Sequence, residues 1–164
     1  MIGAVREYEL IKLKAVANYQ FGRNAGEALF KGDIKVSRSS RTGRVRNIYL
    51  NGKLIATVRA SDGFLALAPE GARLLLKAFR PPKLRVIVPN HVADAIAEGR
   101  SVFAKHVIGV DPEIRAGEEV IVVDENDRLL AVGKAVLSAE EMMAFDKGVA
   151  VKVRKGVKDQ RPLS

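Results

Sequence analysis

The alternation of apolar and polar residues divides the first half of the chain into helices, then strands, then one more helix. In chain order, the predicted elements are helices over 6–17 and 25–30, strands over 33–38, 44–50 and 53–59, and a helix from Pro69. Asn24 is the predicted N-cap of the second helix. Asn51-Gly52 indicates a type I′ hairpin turn, because both residue types tolerate a positive φ. Ile55 interrupts the alternation of the third strand.

The second half has a pattern dominated by short strands. Its predicted elements are strands over 84–88, 102–108, 120–123, 129–137 and 149–154, with helices over 92–97 and 139–145. Val120–Val123 is apolar without alternation, which predicts a strand buried on both faces. Gly133 indicates a bulge or a close approach of two backbones. Ser138 and Glu141 have the spacing of a capping box.

Pro81-Pro82 is the predicted domain boundary, because two consecutive prolines cannot continue a helix or join a central strand. The chain therefore divides into domains over 1–82 and 83–164. The fold class is α+β, with helices on an antiparallel sheet in the first domain and a β-rich second domain with short helices.

Charge is distributed unevenly along the chain, whose formal net charge is +9. Residues 1–83 carry +10, residues 84–151 carry −5, and residues 152–164 carry +4. This distribution predicts one electropositive face, which attracts phosphate backbones or anionic membranes. A basic surface that only aids solubility is the alternative. High charge without Cys also fits a thermophile.

Several classes of function lack the residues they need. Without Cys there are no disulfides or thiolate metal sites, and His91 and His106 lack further ligands at metal spacing. No nucleophile has a plausible base nearby, so we expect no enzyme activity and no cofactor. The first ten residues include charged side chains and no long apolar run, unlike a secretory signal. No apolar run in the chain approaches the roughly 18 residues of a membrane helix. We therefore expect a cytoplasmic protein.

The most basic window is a predicted strand–turn–strand over 35–46. Its cations are Lys35, Arg38, Arg41, Arg44 and Arg46. Four Ser and Thr hydroxyls stand among them, and this mixture suits phosphate oxygens, since Arg donates in a fork and hydroxyls add short hydrogen bonds. We favour a phosphate-binding hairpin, and the alternative is a solvated, flexible tip.

Four segments of the second half resemble the PUA domain, a small RNA-binding pseudo-barrel: GRSVFAKHV, DPEIRAGEEVIVV, LLAVGKAVLSAEEM and GVAVKVR. The first half is similar to the domain that precedes PUA in archaeosine tRNA-guanine transglycosylases. It carries that resemblance in ANYQFGRNAGEALF, SRSSRTGRVRNIYLNGKLIATVRASDGFLAL and APEGARLLLKAF. The catalytic barrel of those enzymes, with its aspartates and zinc ligands, has no counterpart in this sequence.

The PUA resemblance implies an RNA groove between a glycine turn, the strand after it and the last strand. By position, the RNA-binding residues are Gly99, Arg100, Ser101, Val102, Lys105, Lys152 and Arg154. Glycine in the turn lets an RNA backbone approach the main chain. Phe103 is expected to fill the core.

The prediction is therefore a non-catalytic, archaeal, two-domain RNA-binding protein. Its expected ligand is structured RNA, with tRNA as the preferred candidate. Two alternatives stay open: a trans-acting tRNA-binding subunit of a separate tRNA-modifying enzyme, and a ribosome-assembly or scaffold protein that uses the acidic middle segment. No helix is both basic and strongly amphipathic, which disfavours a membrane-surface role.

Overall fold

The structure, a computed structural model, describes residues 1–162, which form two compact units. The first unit is Met1–Ala78 and the second begins at Phe79. The predicted division after residue 82 remains a prediction. The segment that follows Ala78 is held to the second unit, because the buried Arg85 side chain donates from Nη1 to the carbonyls of Phe79 (3.0 Å) and Lys83 (2.9 Å).

Helices cover one face of an antiparallel sheet in the first unit, as predicted. Its elements are β1 (Ile2–Ala4), α1 (Glu7–Phe21), α2 (Ala25–Leu29), β2 (Ile34–Arg38), β3 (Val45–Leu50), β4 (Lys53–Val58), β5 (Leu65–Leu67) and α3 (Pro69–Ala78). The five strands pair in sequence order. The cross-strand partners Val36, Ile48, Ala56 and Leu67 form a buried row, and α1 and α3 pack against the strands β5 and β4.

The N-terminus of α2 differs from the prediction. Asn24 has a left-handed backbone (φ 75°), and its side chain makes no capping hydrogen bond. The side chain of Asn18 takes that role from α1, since its Oδ1 accepts from the Gly26 N–H at 2.7 Å. The cap therefore comes from a neighbouring helix and depends on tertiary packing, which local spacing does not reveal.

The irregular residue of the third strand lies in a β-bulge. Ile48 pairs with Ala56, whereas Tyr49 pairs with Leu54, so Ile55 is the extra residue on β4. A bulge places two residues opposite one and turns the extra side chain out of alternation. Ile55 is buried as a result.

The second unit is a curled sheet that forms a half-barrel with short helices, and the α+β class is confirmed. Its elements are β6 (Arg85–Ile87), a 3₁₀ turn (Asn90–Val92), α4 (Ala93–Ala97), β7 (Val102–Phe103), a 3₁₀ turn (Ala104–His106), β8 (Gly109–Val110), β9 (Glu119–Val123), β10 (Leu129–Ala135), α5 (Ala139–Ala144) and β11 (Val149–Gly156). The strand order is β7-β11-β10-β9-β6-β8, and β6 and β9 run parallel. Within residues 1–162, no helix is long and apolar enough to cross a membrane.

The centre of this sheet confirms two predictions from the apolar pattern. All five residues of β9 are buried, because β9 pairs along both edges and packs on both faces. The ladder shifts register between Val132 and Gly133. A Cβ at Gly133 would lie 2.2 Å from the carbonyl oxygen of Lys152, so only glycine lets β10 and β11 approach this closely.

The predicted hairpin turn and helix cap are also confirmed. Asn51 and Gly52 both have positive φ, at 51° and 83°. The hydroxyl of Ser138 accepts from the Glu141 N–H (3.2 Å), and the Glu141 carboxylate accepts from the Ser138 N–H (2.9 Å). These signals are local in sequence, so they were readable without tertiary information.

Candidate nucleic-acid interface

A glycine turn follows α4. The N–H of Gly99 donates to the Ile96 carbonyl (2.9 Å), and the N–H of Arg100 donates to the Ala95 carbonyl (3.1 Å). Gly99 has φ 111°, a backbone conformation that residues other than glycine rarely adopt. The turn leaves the Arg100 side chain exposed and Ser101 half-buried.

The strand after this turn is shorter than predicted. β7 contains only Val102 and Phe103, because the chain then enters a 3₁₀ turn closed by the Val107 N–H on the Ala104 carbonyl (3.1 Å). The Val102 side chain is 1% exposed and packs in the core. The RNA-binding role of Val102 remains a prediction, and it would require a contact through the backbone.

Phe103 and Lys105 also lie differently from the prediction. Phe103 is 45% exposed rather than buried, because β7 is a two-residue edge strand that turns this side chain outward. Lys105 lies in the 3₁₀ turn rather than on a strand, and its side chain is exposed. The two residues therefore present an aromatic ring and a cation within one short segment.

The last strand supplies Lys152 on its outer face. A register shift lies between Val149 and Val151, and it buries Ala150, which simple alternation had placed outside. Beyond this bulge the alternation is regular: Lys152 is exposed and Val153 is buried. β11 pairs Val151 with Val102 of β7, so Lys152 lies next to the residues after the glycine turn.

Arg154 is engaged by a carboxylate of its own unit. Its Nη1 donates to Glu119 Oε1 at 2.9 Å and its Nη2 donates to Glu119 Oε2. The Glu119 side chain is 0% exposed. A buried carboxylate requires such a partner, so Arg154 stabilises Glu119, and its RNA-binding role remains a prediction.

Lys147 belongs to the same surface, although sequence reasoning did not select it. The Ala104 N–H donates to the Gly148 carbonyl (2.9 Å), which brings the turn before β11 against the 3₁₀ turn of Lys105. We call the exposed residues Arg100, Phe103, Lys105, Lys147 and Lys152 the groove rim. None of its four cations forms an ion pair with another residue in the described range 1–162.

The basic window of the first unit is a hairpin between β2 and β3. The Ser39 N–H donates to the Arg44 carbonyl and the Gly43 N–H donates to the Ser39 carbonyl, both at 2.8 Å. We call Arg41 and Arg44 the hairpin tip; both are exposed, and neither pairs with an acid in the described part of the chain. Arg46 is half-buried on β3.

Arg38 and Lys35 do not belong to a free fan of cations. Arg38 donates from Nε to Glu9 Oε2 (2.9 Å), and from Nη2 to Glu9 Oε1 (2.6 Å) and to the carbonyl of Ala4 (3.0 Å). Lys35 lies 3.7 Å from the Asp33 carboxylate. Arg38 thus joins β2 to the start of α1, and the phosphate-binding role of the five cations over 35–46 remains a prediction.

Glu9 supplies the carboxylate that binds the Arg38 guanidinium. Its carboxylate also accepts from the Arg6 N–H (2.8 Å) at the start of α1. The hydrogen bond from the Arg38 guanidinium lowers the pKa of Glu9 to about 2, against burial, which would raise it. Glu9 is thus ionised at neutral pH and holds the guanidinium in place.

The two histidines lie against each other in the second unit. The rings of His91 and His106 meet edge to face with centroids 6.1 Å apart. Burial lowers the pKa of His106, and the nearby charges of Lys105 and His91 lower it further. Among residues 1–162 no group of three or more His, Asp or Glu side chains could hold a metal ion.

Three carboxylates of the acidic middle segment, those of Asp111, Glu119 and Asp124, are buried. Asp111 accepts from the Leu84 N–H (2.8 Å), and Asp127 accepts from the Arg85 guanidinium (2.7 Å). Asp124 accepts backbone N–H groups of its own hairpin loop. These carboxylates stabilise turns and strand ends, while Asp127 and most other acids of the segment remain exposed.

Comparison with known proteins relates both halves of the chain to tRNA-modifying enzymes. The family model "Patch-forming domain C2 of tRNA-guanine transglycosylase" matches residues 12–82, and the "PUA domain" model matches residues 84–157. The tRNA-guanine(15) transglycosylase of Methanobrevibacter smithii is 51% identical over 150 residues, which is 92% of this chain and 23% of that protein. That of Pyrococcus abyssi is 46% identical over 152 residues, covering 93% and 26%.

Solved structures of similar fold cover nearly the whole chain. A hypothetical protein from Pyrococcus horikoshii superposes with a TM-score of 0.79 at 24% identity, covering 98% of this chain and 96% of that one. A conserved PUA domain protein from Thermoplasma acidophilum gives a TM-score of 0.70 at 21% identity, with the same coverage.

The chain spans about a quarter of the length of the curated archaeal relatives that it matches. The region it shares with them contains the C2 and PUA domains. The chain therefore combines a region that matches the patch-forming C2 domain of tRNA-guanine transglycosylases with a region that matches the PUA domain, and it resembles the corresponding part of the archaeal enzymes.

Proposed function

We propose that this chain is a non-catalytic RNA-binding protein that recognises structured RNA, with tRNA as its preferred ligand. The observation that supports this most is the groove rim. Four exposed cations and an exposed phenylalanine lie on neighbouring segments next to a glycine turn, and none of these cations forms an ion pair with an acid of the described residues 1–162. Cations grouped in this way repel one another unless an anion lies between them.

The chemistry of the rim fits the end of a helical RNA better than its interior. Lys and Arg side chains meet phosphate oxygens, and an exposed aromatic ring stacks on an unpaired or terminal base. Double-helical RNA shows little sequence in its deep major groove, so recognition by shape and backbone is expected. tRNA offers both a stem and a single-stranded end, and the similar archaeal enzymes are named for tRNA.

The hairpin tip of the first unit supplies a second set of phosphate contacts in this proposal. Arg41 and Arg44 are exposed on a strand–turn–strand, and Arg donates in a fork that matches phosphate geometry. Arg38, which is held by Glu9, positions β2 rather than contacting RNA.

The first experiment compares binding to folded tRNA and to a single-stranded RNA of equal length. We expect clear preference for tRNA at each salt concentration, because the rim reads a folded shape. Equal and weak binding to the two RNAs that salt abolishes would mean generic attraction to a basic protein, and it would contradict the proposal.

A charge-reversal variant locates the interface. Lys105→Glu with Lys152→Glu should weaken tRNA binding severalfold without unfolding the protein, since both side chains are exposed. The matched control is Lys31→Glu with Lys77→Glu, two exposed lysines outside the groove rim and hairpin tip. Equal losses in the two variants would show that net charge matters and the rim does not.

A second candidate function is that of a trans-acting subunit that delivers tRNA to a separate modifying enzyme. One outward face of α1 favours it: Tyr8, Ile11 and Tyr19 are all exposed, and the Phe64 ring stacks on Tyr19 at 6.0 Å. An apolar stripe on a highly charged protein is typical of a protein-binding surface. The partner we infer is the catalytic part of a tRNA-guanine transglycosylase, since the relatives are about four times longer than the matched region.

Size-exclusion chromatography of this chain mixed with a separately expressed transglycosylase catalytic part tests the second candidate. Co-elution that Ile11→Arg abolishes would support it. Co-elution that Ile11→Arg leaves unchanged, or separate elution of the two wild-type proteins, would contradict it.

A further inference from the structure

The chain after β11 folds back onto the glycine turn. The Val157 N–H donates to the Leu130 carbonyl (2.9 Å), and the Lys158 N–H donates to the carbonyl of Ala97, the last residue of α4 (2.8 Å). We call residues 157–162 the tail segment.

An internal ion pair closes the tail segment. Arg161 donates from Nε to Asp159 Oδ1 (2.9 Å), from Nη2 to Oδ2 (2.6 Å), and from its own N–H to Oδ1 (3.0 Å). The Asp159 side chain is only 2% exposed, although Arg161 is largely exposed. Lys155 donates to the backbone carbonyls of Asp159 (2.8 Å) and Arg161, which fixes the same loop from β11.

This ion pair lies directly over Gly99. A Cβ at Gly99 would be 2.6 Å from Arg161 Nη2 and 2.8 Å from Asp159 Oδ2. The missing side chain therefore gives room to the tail segment in the free protein. In the proposed function, an RNA backbone needs the same space above the turn.

We propose that the tail segment is an internal cover of the glycine turn, and that bound RNA displaces it. This inference rests on the RNA-binding function proposed above. One side-chain contact of the cover suits displacement: Lys158 pairs with Asp94 at 3.0 Å near the surface, and surface ion pairs are weak and screened by salt. RNA phosphates attract Lys158, so this displaced cation gains a new partner.

A charge-neutral variant tests the cover without changing general electrostatics. Asp159→Asn with Arg161→Gln removes one negative and one positive charge, so the net charge of the chain stays the same. We expect this variant to bind tRNA severalfold more tightly than the wild-type protein. The matched control is Glu70→Gln with Arg73→Gln, which removes another exposed ion pair (3.5 Å) in the first unit and should not change the affinity.

Hydrogen exchange at the Lys158 amide gives a second readout. This amide donates to Ala97, so it should exchange slowly in the free wild-type protein and faster in the Asp159→Asn, Arg161→Gln variant. It should also exchange faster in wild-type protein bound to tRNA.

Unchanged or weaker tRNA binding by the variant would overturn the cover while leaving the proposed function intact. An amide that stays protected in the tRNA complex would do the same. If neither protein binds tRNA, both the cover and the proposed function fail.

Discussion

Arg38 and Arg154 show how tertiary structure assigns roles to single cations. In the sequence both stand among other basic residues, and both were expected to meet phosphates. In the folded protein each lies against a buried carboxylate, Glu9 and Glu119 respectively. An unpaired buried carboxylate is costly, so these arginines stabilise the fold, and removing either would leave its acid unpaired.

The depressed pKa of Glu9 leads to a prediction about acid stability. A carboxyl whose pKa falls from 4.5 to about 2 on folding contributes stability above pH 4.5, and this contribution is lost as the pH falls towards 2. Glu9→Gln should therefore lower the free energy of unfolding by on the order of 2 kcal/mol at pH 7, with a much smaller difference near pH 2.

Urea denaturation of the two proteins at several pH values measures this difference. Glu27→Gln is the control, since the exposed pair of Glu27 with Lys14 (3.1 Å) contributes at most about 1 kcal/mol. A Glu9→Gln penalty that does not change between pH 7 and pH 2 would contradict the ion-pair explanation.

Phe103 carries the second prediction for a single residue. Phe103→Ala should weaken tRNA binding severalfold, because stacking of a base on an aromatic ring contributes about 1–3 kcal/mol. The melting temperature should change little, since the ring is half exposed. Phe103→Tyr, which keeps the ring, should restore binding.

A large loss of stability in Phe103→Ala, about 3–5 kcal/mol as for a buried phenylalanine, would instead assign Phe103 to the core. Thermal unfolding followed by circular dichroism distinguishes the two outcomes.

Among the elements, the hairpin between β2 and β3 is the one with a testable function. Arg41→Glu with Arg44→Glu should weaken tRNA binding severalfold while leaving the sheet intact, because both side chains lie beyond the last strand pairs. The control is Lys31→Glu with Lys77→Glu, which changes the net charge by the same amount. If only the groove-rim variant, Lys105→Glu with Lys152→Glu, loses affinity for tRNA, the hairpin tip is not part of the interface.

Short elements were harder to predict than turns and caps. The turn at Asn51-Gly52 and the capping box at Ser138 depend on residues within a few positions, and both agree with the structure. β7 has two residues instead of the predicted seven, since its extent depends on pairing with β11. The local pattern of apolar and polar residues does not indicate which distant strands pair.

For the whole molecule, the proposed interface predicts a strong dependence of binding on salt. If the groove rim and hairpin tip together meet five to eight phosphates, the logarithm of the tRNA affinity should fall with that of the salt concentration at a slope of roughly −4 to −7. A filter-binding titration at several salt concentrations gives this slope. A slope near zero would exclude phosphate contacts as the main source of affinity. A much shallower slope in the Lys105→Glu, Lys152→Glu variant would confirm that the groove rim contributes to the phosphate contacts.

The residue pattern was enough to predict the α+β class, the buried strand β9, the Asn51-Gly52 turn, the Ser138 capping box and the resemblance to C2 and PUA domains. These follow from periodicity and from motifs whose residues are neighbours in the chain. Tertiary structure alone decided which cations are available, why Phe103 is exposed, and where the tail segment lies. Exposure and ion pairing depend on which distant segments come together, whereas the Asn51-Gly52 turn and the Ser138 capping box depend on a few adjacent residues.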